Sequence, residues 1–531
     1  MSKLKFFLWW LLPLIFHSIY QLLVHSWRIY VFYDLVENIA FALILLLFVS
    51  LIKNLKWSKI LSKSAYIIFI LTLLFEGLYY DIFATYFSSS ALFIFLQTNT
   101  AEAFEFSETY FNPSMLINVI LALSFIVGFI YRSKVKSLKK VFPQPFYFKI
   151  ITIGLLSFFL RESGYIIANV PYSILRASVE YYQEQQKMQA YQVDQPKGNF
   201  KEVSSKNTRK QQIYVMIIGE STSRRHLGAY GYLRETTPNF SKKQEQLLMY
   251  SDIVSTSATT IQSLKKALTL NNFKNPKQES TLIQLMNQAG FETHWISNQK
   301  PVGIYDSFVT QMAKASDHYT FKNTTIYSSV TPYDEVLLPI YKEALASSAD
   351  KVFIAVHLLG THAKYKYRYP EKFDHFTGKT PSKFQHATAQ ATVNHYDNAI
   401  RYIDHLVGKM NDQLEKKQAN SYLLYFSDHG DEVYDVRDFK GHNDDNPTPA
   451  MFEIPFVLWR SQAHQKQFKI VEDSSRAGTI DHLIHSVSEL SGIDFKRFDS
   501  QKSIFSKDYK VPKKRILGSQ KDEYQELIEK N

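Results

Sequence analysis

The chain has 531 residues and no cysteine, carries a formal net charge of +12 and has a mean hydropathy of −0.19. This length has room for more than one domain, since compact domains usually contain about 100 to 200 residues. The lack of cysteine excludes disulfides, thiolate metal ligands, a cysteine nucleophile and a formylglycine derived from cysteine. The basic balance suits nucleic acid, anionic lipid or acidic polysaccharide as a partner. No basic stretch shows a nucleic-acid signature, so no nucleic-acid partner is predicted.

Long apolar runs dominate the first third of the chain, whereas the remainder has the composition of a charged globular protein. A membrane-spanning helix needs about 20 mostly apolar residues. Residues 1–170 are therefore predicted to form a transmembrane domain of five helices, although Arg161 and Glu162 interrupt the last one. The five segments are Leu4 to Val24, Leu35 to Ile52, Ala65 to Phe83, Met115 to Tyr131 and Phe148 to Val170.

The charges of the loops indicate the orientation of these helices. Basic residues cluster after the second and fourth segments, which places both loops in the cytoplasm by the positive-inside rule. The loop after the third segment, Ala84 to Ser114, has no Lys or Arg but contains Glu102, Glu105 and Glu108. Everything after Val170 then lies outside the cytoplasm. The basic residues are Lys53, Lys56, Lys59 and Lys63 in one loop, and Arg132, Lys134, Lys136, Lys139 and Lys140 in the other.

Two acidic residues, Glu76 and Asp81, lie within or at the edge of the third segment. An ionisable group inside a membrane is costly and is often functional. The alternative is that both side chains lie near the outer interface and reach water. Their position near the end of the segment favours this second interpretation.

A change of composition separates the apolar part from a second domain. Residues 171–212 are predicted to be an exposed, partly helical linker, because the stretch is rich in Gln, Lys and Asn and contains Pro196 and Gly198. In residues 213–531, short β-branched or aromatic runs alternate with helical patterns. This alternation predicts an α/β domain with a mainly parallel sheet covered on both faces. The runs are Tyr214 to Ile218, Thr293 to Ser297, Val352 to Val356, Tyr422 to Phe426 and Ile454 to Trp459.

Polar side chains follow three of these predicted strands, at the edge where α/β sheets form their sites. Glu220 follows the first strand, His362 lies shortly after the third, and Asp428 and His429 follow the fourth. A turn at Gly430 would let Asp428 and His429 face one ion. With Glu220 they offer oxygen and nitrogen ligands for zinc, manganese or magnesium. Each piece alone also fits an ordinary turn or a solvated loop.

Thr260 stands where a helical spacing of apolar residues begins, from Ile261 through Leu264 to Leu268. One interpretation is structural, because threonine is a preferred N-cap that stabilises a helix by about 1 kcal/mol. The other is chemical. A helix N-terminus attracts phosphate, and a metal can activate a threonine hydroxyl as a nucleophile. The spacing leaves both interpretations open.

Several motifs follow one another along the chain: TNTAEA (Thr98 to Ala103), IGES (Ile218 to Ser221), YGYLRETTP (Tyr230 to Pro238), the helix headed by Thr260, HLLGTHAKYKYRYP (His357 to Pro370), YDN (Tyr396 to Asn398), YFSDHGDEVYD (Tyr425 to Asp435) and DNPT (Asp445 to Thr448). Together they resemble the phosphoethanolamine transferases of the alkaline phosphatase and sulfatase superfamily. The resemblance covers nearly the whole chain, including the five spans. It is closest to the branch that modifies a heptose of the lipopolysaccharide core, since the lipid A branch usually carries disulfides and a cysteine near the nucleophile.

The resemblance implies an alkaline-phosphatase-like outer domain and a set of site residues. It implies that Thr260 is the nucleophile and forms a phosphothreonine-type covalent intermediate. His362 and His442 match histidines that contact the phosphate or a second metal. The implied zinc ligands are Glu220, Thr260, Asp428 and His429.

The resemblance also implies the substrates and the location. Phosphatidylethanolamine is the implied donor and lipopolysaccharide the implied acceptor. The implied location is the bacterial inner membrane, with several spans and the catalytic domain in the periplasm. Three alternatives remain: transfer to lipid A or another periplasmic glycan, a glycerol-phosphate transferase or hydrolase of the same superfamily, and a catalytically silent envelope scaffold.

Overall fold

The computed structural model describes residues 3–24, 29–83, 113–132, 141–163, 169–207, 210–272, 274, 280–301, 308–323 and 331–530. Contacts divide these residues into two units, one up to Tyr182 and the other from Gln183 onward. Parts of the predicted loops fall outside the described residues. They are the TNTAEA motif (Thr98 to Ala103), the acidic residues Glu102, Glu105 and Glu108, and the basic residues Lys134, Lys136, Lys139 and Lys140.

Helices form at each of the five predicted spans within the described part of the first unit. Two of them are long and apolar enough to cross a membrane, over Val31–Ser50 and Leu55–Phe83, while Phe6–Leu22 and Met115–Tyr131 are shorter apolar helices. The helix at the fifth span ends at Ser163, and it meets neither criterion. The five-span topology therefore stays a prediction. The helices are α1 Lys3–Val24, α2 Ile29–Ser50, α3 Leu55–Phe83, α4 Pro113–Arg132, α5 Phe146–Ser163 and α6 Val170–Tyr191.

The exposure of the Glu76 side chain differs from the expectation. Its side chain is only 1% exposed and accepts a hydrogen bond of 3.0 Å from the Asn38 amide, which also donates to Asp34. The expectation that Glu76 reaches water is wrong, because α2 and α3 pack together and enclose the carboxyl group. Asp81 is half-buried and accepts a hydrogen bond of 2.6 Å from the Tyr20 hydroxyl.

Seven strands form the main sheet of the second unit. They are β1 Gln212–Gly219, β2 Leu247–Met249, β3 Glu292–Ser297, β4 His318–Phe321, β5 Lys351–His357, β6 Asn420–Ser427 and β7 Phe456–Arg460. In space they follow the order β2–β7–β6–β1–β5–β3–β4. The five strands from β6 to β4 are parallel, whereas β7 runs antiparallel to both β6 and β2. The sheet is therefore mixed: its parallel centre matches the prediction, but the predicted strand Ile454 to Trp459 runs antiparallel.

The central strand β1 explains why the sheet is covered on both faces. All eight of its residues are buried. Successive side chains of a strand point to opposite faces. Tyr214, Met216 and Ile218 accordingly join one hydrophobic cluster, while Ile213 and Val215 join the other. The further α-helices of this unit are α7 Pro238–Lys242, α8 Thr260–Ala267, α9 Leu282–Gln288, α10 Phe308–Lys314, α11 Leu338–Ala344, α12 Ala387–Glu415, α13 Gln462–Gln467, α14 Leu483–Ser491 and α15 Tyr524–Lys530.

The predicted linker is partly helical, as α6 covers its first half, but its second half is not fully exposed. Val193 and Phe200 are buried in a hydrophobic cluster of the second unit. The Gln284 side-chain amide donates hydrogen bonds to the carbonyl groups of Gln192 and Gln195, at 3.0 and 2.8 Å. Two scattered apolar side chains thus anchor a stretch whose composition suggested full exposure. The domain boundaries at 170 and 212 stay predictions.

Candidate active site

The carboxyl ends of β1 and β6 bring the acidic residues together. The two strands pair in parallel up to Gly219 and Ser427, so Glu220 and Asp428 leave the sheet side by side. The Asp428 N–H donates to the carbonyl of Gly219 at 3.1 Å, and the Ser221 N–H donates to the Asp428 carboxylate at 3.1 Å. Adjacent parallel strands therefore position this site at the edge predicted from the sequence.

Four side chains converge at this edge, and three of them are fully buried. His429 Nε2 lies 3.4 Å from Glu220 Oε1 and 3.6 Å from Asp428 Oδ2. The Thr260 hydroxyl lies 3.0 Å from Glu220 Oε2 and 3.5 Å from His429 Nε2. We call Glu220, Thr260, Asp428 and His429 the catalytic cluster. Its assembly was predicted from the sequence, whereas the role of each residue stays a prediction.

The catalytic cluster fits a metal ion in three respects. Ligands about 2.0 to 2.1 Å from a tetrahedral zinc ion lie about 3.3 Å apart, close to the separations of 3.0 to 3.6 Å found here. Asp428 Oδ2 is buried and accepts no hydrogen bond from any described residue. His429 Nδ1 lies 2.7 Å from the carbonyl oxygen of Gly430, to which it donates, so the lone pair of Nε2 faces the cluster.

Burial and mutual charge interactions shift the pKa values of the ionisable residues in the cluster. Burial and the nearby charge of Glu220 raise the pKa of Asp428 well above its usual range. Burial opposes a charge on Glu220 as well, but the hydrogen bond and charge of His429 hold the pKa of Glu220 far below its usual range. Burial would lower the pKa of His429, yet the carboxylates of Asp428 and Glu220 raise it to about 10. The carboxylates of the cluster thus stabilise a positive charge beside them, which here is the proton of His429.

Thr260 is the first residue of α8 but not its N-cap. The N-cap is Thr259, with φ −132° and ψ 137°, and no side-chain capping hydrogen bond occurs there among the described residues. The N-cap interpretation of Thr260 is wrong by one residue, because its hydroxyl is turned to the Glu220 carboxylate. Asp444 fixes the preceding loop by accepting hydrogen bonds of 2.7 Å from Ser257 Oγ and the Ala258 N–H.

His362 and His442 both lie beside the catalytic cluster. Burial acts to raise the pKa of Glu220, whereas the hydrogen bond and charge of His429 lower it. The charge of His362 lowers the same pKa further, by less than His429 does. The ring of His442 lies 4.3 Å from that of His429, and its Nδ1 lies 3.3 Å from the carboxylate of Asp431. Neither is an isolated surface histidine, but their catalytic roles stay predictions.

Sequence reasoning missed several residues that contact the cluster. The Gln299 side-chain amide donates to Glu220 Oε2 at 3.1 Å and to the Leu358 carbonyl at 3.0 Å. The Ser221 hydroxyl donates to Glu220 Oε1 at 2.8 Å, and its backbone has φ +55°. Gln299 follows β3 at the same edge of the sheet, so the rule that identified Glu220 also applied to it. The φ of Ser221 had no signal in the sequence.

Comparison with known proteins places the chain in a family. A family model described as Sulfatase matches residues 212–493. The phosphoethanolamine transferase EptC of Escherichia coli (strain K12) is 34% identical over 471 residues, which cover 81% of this chain and 80% of EptC. The chain belongs to the phosphoethanolamine transferases. The transferase CptA of Salmonella typhimurium is 33% identical over 470 residues, with the same shares of both chains. The resemblance stated from the motifs is therefore confirmed.

Solved structures support the fold of this transferase. The C-terminal periplasmic domain of EptC from Escherichia coli, in complex with zinc, has a TM-score of 0.59 and 34% identity, covering 62% of this chain and 96% of that domain. The integral membrane protein EptA from Neisseria meningitidis has a TM-score of 0.64 over 84% of this chain and 90% of its own. At 20% identity, EptA shows the fold alone. The alkaline-phosphatase-like fold of the second unit is confirmed, and the expected metal dependence agrees with the zinc complex of EptC.

Proposed function

We propose that this transferase moves phosphoethanolamine from phosphatidylethanolamine to a heptose of the lipopolysaccharide core, through a phosphothreonine at Thr260. One observation carries the proposal. The Thr260 hydroxyl contacts the Glu220 carboxylate and lies 3.5 Å from His429, while the neighbouring Thr259 occupies the N-cap position. A hydroxyl held among metal-type ligands at a helix N-terminus suits attack on phosphorus better than it suits helix capping.

Zinc is the metal we assign to the catalytic cluster, with manganese and magnesium as less suitable ions. The nitrogen ligand of His429 and the separations near 3.3 Å fit zinc, whereas magnesium prefers octahedral oxygen ligands. Glu220, Thr260, Asp428 and His429 hold the ion. A zinc ion in this position acts as a Lewis acid, easing loss of a hydroxyl proton and offsetting charge on the phosphoryl group.

The reaction consists of two displacements at phosphorus. In the first, deprotonated Thr260 Oγ forms a bond to phosphorus, and the bond from phosphorus to the glycerol oxygen breaks. The leaving diacylglycerol takes a proton from a histidine. In the second, a heptose hydroxyl gives its proton to that histidine and attacks phosphorus, and Thr260 Oγ leaves in its deprotonated form. The histidine and Thr260 thereby return to their starting states.

We assign the proton transfer to His362 and contact with the phosphoryl oxygens to His442. His362 is half-buried, and its Nδ1 is buried without a hydrogen-bond partner among the residues that the structure describes, so no such residue competes for its proton. His442 is fixed by Asp431, which in turn accepts a hydrogen bond of 2.6 Å from the Tyr365 hydroxyl. Donation from His442 Nδ1 to Asp431 directs Nε2 away from that carboxylate.

The location follows from the same proposal. We assign the chain to the bacterial inner membrane as a multi-pass protein whose catalytic domain lies in the periplasm. The two long apolar helices and the basic residues between Lys53 and Lys63, most of which lie in the first turns of α3, support this assignment. The EptC structure, described as a periplasmic domain, supports it as well. Phosphatidylethanolamine and lipopolysaccharide would then meet the enzyme at the outer face of that membrane.

Mass spectrometry of lipopolysaccharide tests the acceptor. Cells that lack the protein should lose phosphoethanolamine from a core heptose and keep an unchanged lipid A. The wild-type gene should restore the modification. A changed lipid A with an unchanged core would contradict the heptose assignment.

Labelled phosphatidylethanolamine tests the donor and the group transferred. With purified full-length protein, an ethanolamine label should move to the acceptor while a glycerol label leaves as diacylglycerol. Transfer of the glycerol label would indicate a glycerol-phosphate transferase instead. Release of free phosphoethanolamine, at the same rate with and without acceptor, would indicate a hydrolase.

A further inference from the structure

A second group of metal-type ligands lies at the edge of the main sheet. Glu292 and His294 belong to β3, and His318 is the first residue of the edge strand β4. Each of these residues offers one ligand atom, and the three atoms lie within 4.8 Å of one another. We call Glu292, His294 and His318 the edge cluster. Nothing in the phosphoethanolamine transfer proposed above uses it.

The strand geometry explains why the three side chains meet. Residues two apart on a strand share a face, so Glu292 and His294 point the same way. His318 lies directly opposite His294 in the parallel register of β3 and β4. The imidazole rings consequently stack, with centroids 4.7 Å apart and an interplanar angle of 25°. Their alignment follows from the register and does not depend on long flexible side chains.

Hydrogen bonds next to the two histidines fix that register. The Asp317 carboxylate accepts from the Thr293 N–H at 2.9 Å and from the Thr293 hydroxyl at 3.2 Å. The Asp317 N–H in turn donates to the Thr293 hydroxyl oxygen at 3.0 Å. Thr293 precedes His294 and Asp317 precedes His318, so the residues that carry the imidazoles are aligned before any ligand binds. Such support of ligand residues is a common feature of metal sites.

We propose that the edge cluster binds a divalent transition-metal ion, with zinc as the ion that suits it best. Two imidazoles and a carboxylate are a zinc ligand set, and three protein ligands leave one position open to water. His294 Nε2 now lies 2.8 Å from Glu292 Oε1. Tetrahedral zinc ligands are about 3.3 Å apart, so these atoms would separate by only about half an ångström.

The position of the cluster suits this role. The Glu292 side chain is 31% exposed and that of His294 13% exposed, so an ion can enter from solvent. The cluster lies toward the amino ends of β3 and β4, whereas the catalytic cluster follows the carboxyl ends of β1 and β6. The edge cluster is therefore a separate site.

Zinc stoichiometry of the full-length protein in detergent tests the proposal. After chelation and dialysis, titration with Zn²⁺ should reveal two sites in the wild type. His318→Ala should remove one of them and leave transfer activity unchanged. Loss of a residue outside the ligand shell already weakens metal sites by about 10- to 100-fold, so loss of His318 itself should weaken binding by about 100-fold or more. His375→Ala, a change at an exposed histidine outside both clusters, should retain two sites.

The variants also separate this proposal from the assignment of the catalytic metal. Asp428→Asn should remove the other site while His318 and its neighbours still bind one ion. Because His318 is exposed, its replacement should leave the unfolding transition of the metal-free protein in place. Unchanged stoichiometry and affinity in His318→Ala would overturn the proposal and leave the histidines as a hydrogen-bonded surface pair. Loss of all zinc binding in Asp428→Asn would do the same, because it would show that the edge cluster binds no ion of its own.

Discussion

The catalytic cluster and the edge cluster offer similar ligands but are built differently. Thr260 and His429 are 169 positions apart in the chain, and they meet only when β1 and β6 have paired and α8 has packed. The edge cluster instead comes from two neighbouring strands and residues as close as Glu292 and His294. Three members of the catalytic cluster are almost fully buried, whereas the edge cluster is open to solvent. Changes at the catalytic cluster should therefore have much larger effects.

Thr260→Ala should have the largest effect. Without the hydroxyl no phosphothreonine can form, so transfer should fall by at least about 10³-fold while the domain still folds. Wild-type protein given phosphatidylethanolamine without acceptor should carry phosphoethanolamine on the peptide that contains Thr260. Peptide mass spectrometry would detect that adduct, and prior chelation of the metal should prevent it.

Thr259→Ala is the matched control for this prediction. Thr259 is the N-cap, so its replacement should cost at most about 1 kcal/mol of folding stability and retain transfer. Near-normal transfer by a folded Thr260→Ala protein, or an adduct on another residue, would exclude Thr260 as the nucleophile.

Gln299→Leu should have an intermediate effect. The substitution removes the amide that donates to Glu220 Oε2, so the ligand loses a partner that orients it. Residues of this kind typically change metal affinity by about 10- to 100-fold. Competition for Zn²⁺ with a chelator of known affinity would measure the loss. Gln462→Leu at an exposed position should leave the affinity unchanged, and equal affinities in both variants would refute a role for Gln299.

The smallest effect on transfer is expected at His464, away from both clusters, where the stability in acid should change instead. Burial and then the charge of Arg460 lower the pKa of His464 to about 3. His464 Nδ1 accepts a hydrogen bond of 3.0 Å from Arg460 Nε, and His464 Nε2 donates one of 2.9 Å to the Leu490 carbonyl. This arrangement requires the neutral imidazole. The unfolded chain binds a proton near pH 6.5 that the folded chain refuses, so stability should fall as the pH drops from about 6.5 toward 3.

His464→Gln keeps an acceptor and a donor but does not titrate. The slope of the unfolding temperature against pH, measured by scanning fluorimetry, should be shallower in this variant below pH 6.5. Expressed as the free energy of unfolding, the two slopes should differ by at most about 1.4 kcal/mol per pH unit. A slope identical to that of the wild type would show that His464 does not resist protonation in the fold. His375→Gln serves as the exposed control.

The sequence predicted the catalytic edge well because strand ends are local features. Glu220, Asp428 and His429 each follow a run of buried strand residues, and parallel pairing then brings them together. The N-cap is Thr259 and not Thr260. The sequence could not distinguish them, because both are threonines and only the backbone angles show which one precedes the helix. The direction of β7 and the burial of Glu76 depend on contacts between distant segments, which the local pattern does not contain.

Strand β1 connects the catalytic cluster to the cooperative stability of the outer domain. It lies between β6 and β5, and all of its residues are buried, so its amide hydrogens are shielded on both edges and both faces. Amides in such a position exchange with solvent mainly when the whole domain unfolds. Glu220 follows directly from this strand. Thermal fluctuations that open loops should therefore leave the spacing between Glu220 and Asp428 intact for as long as the domain remains folded.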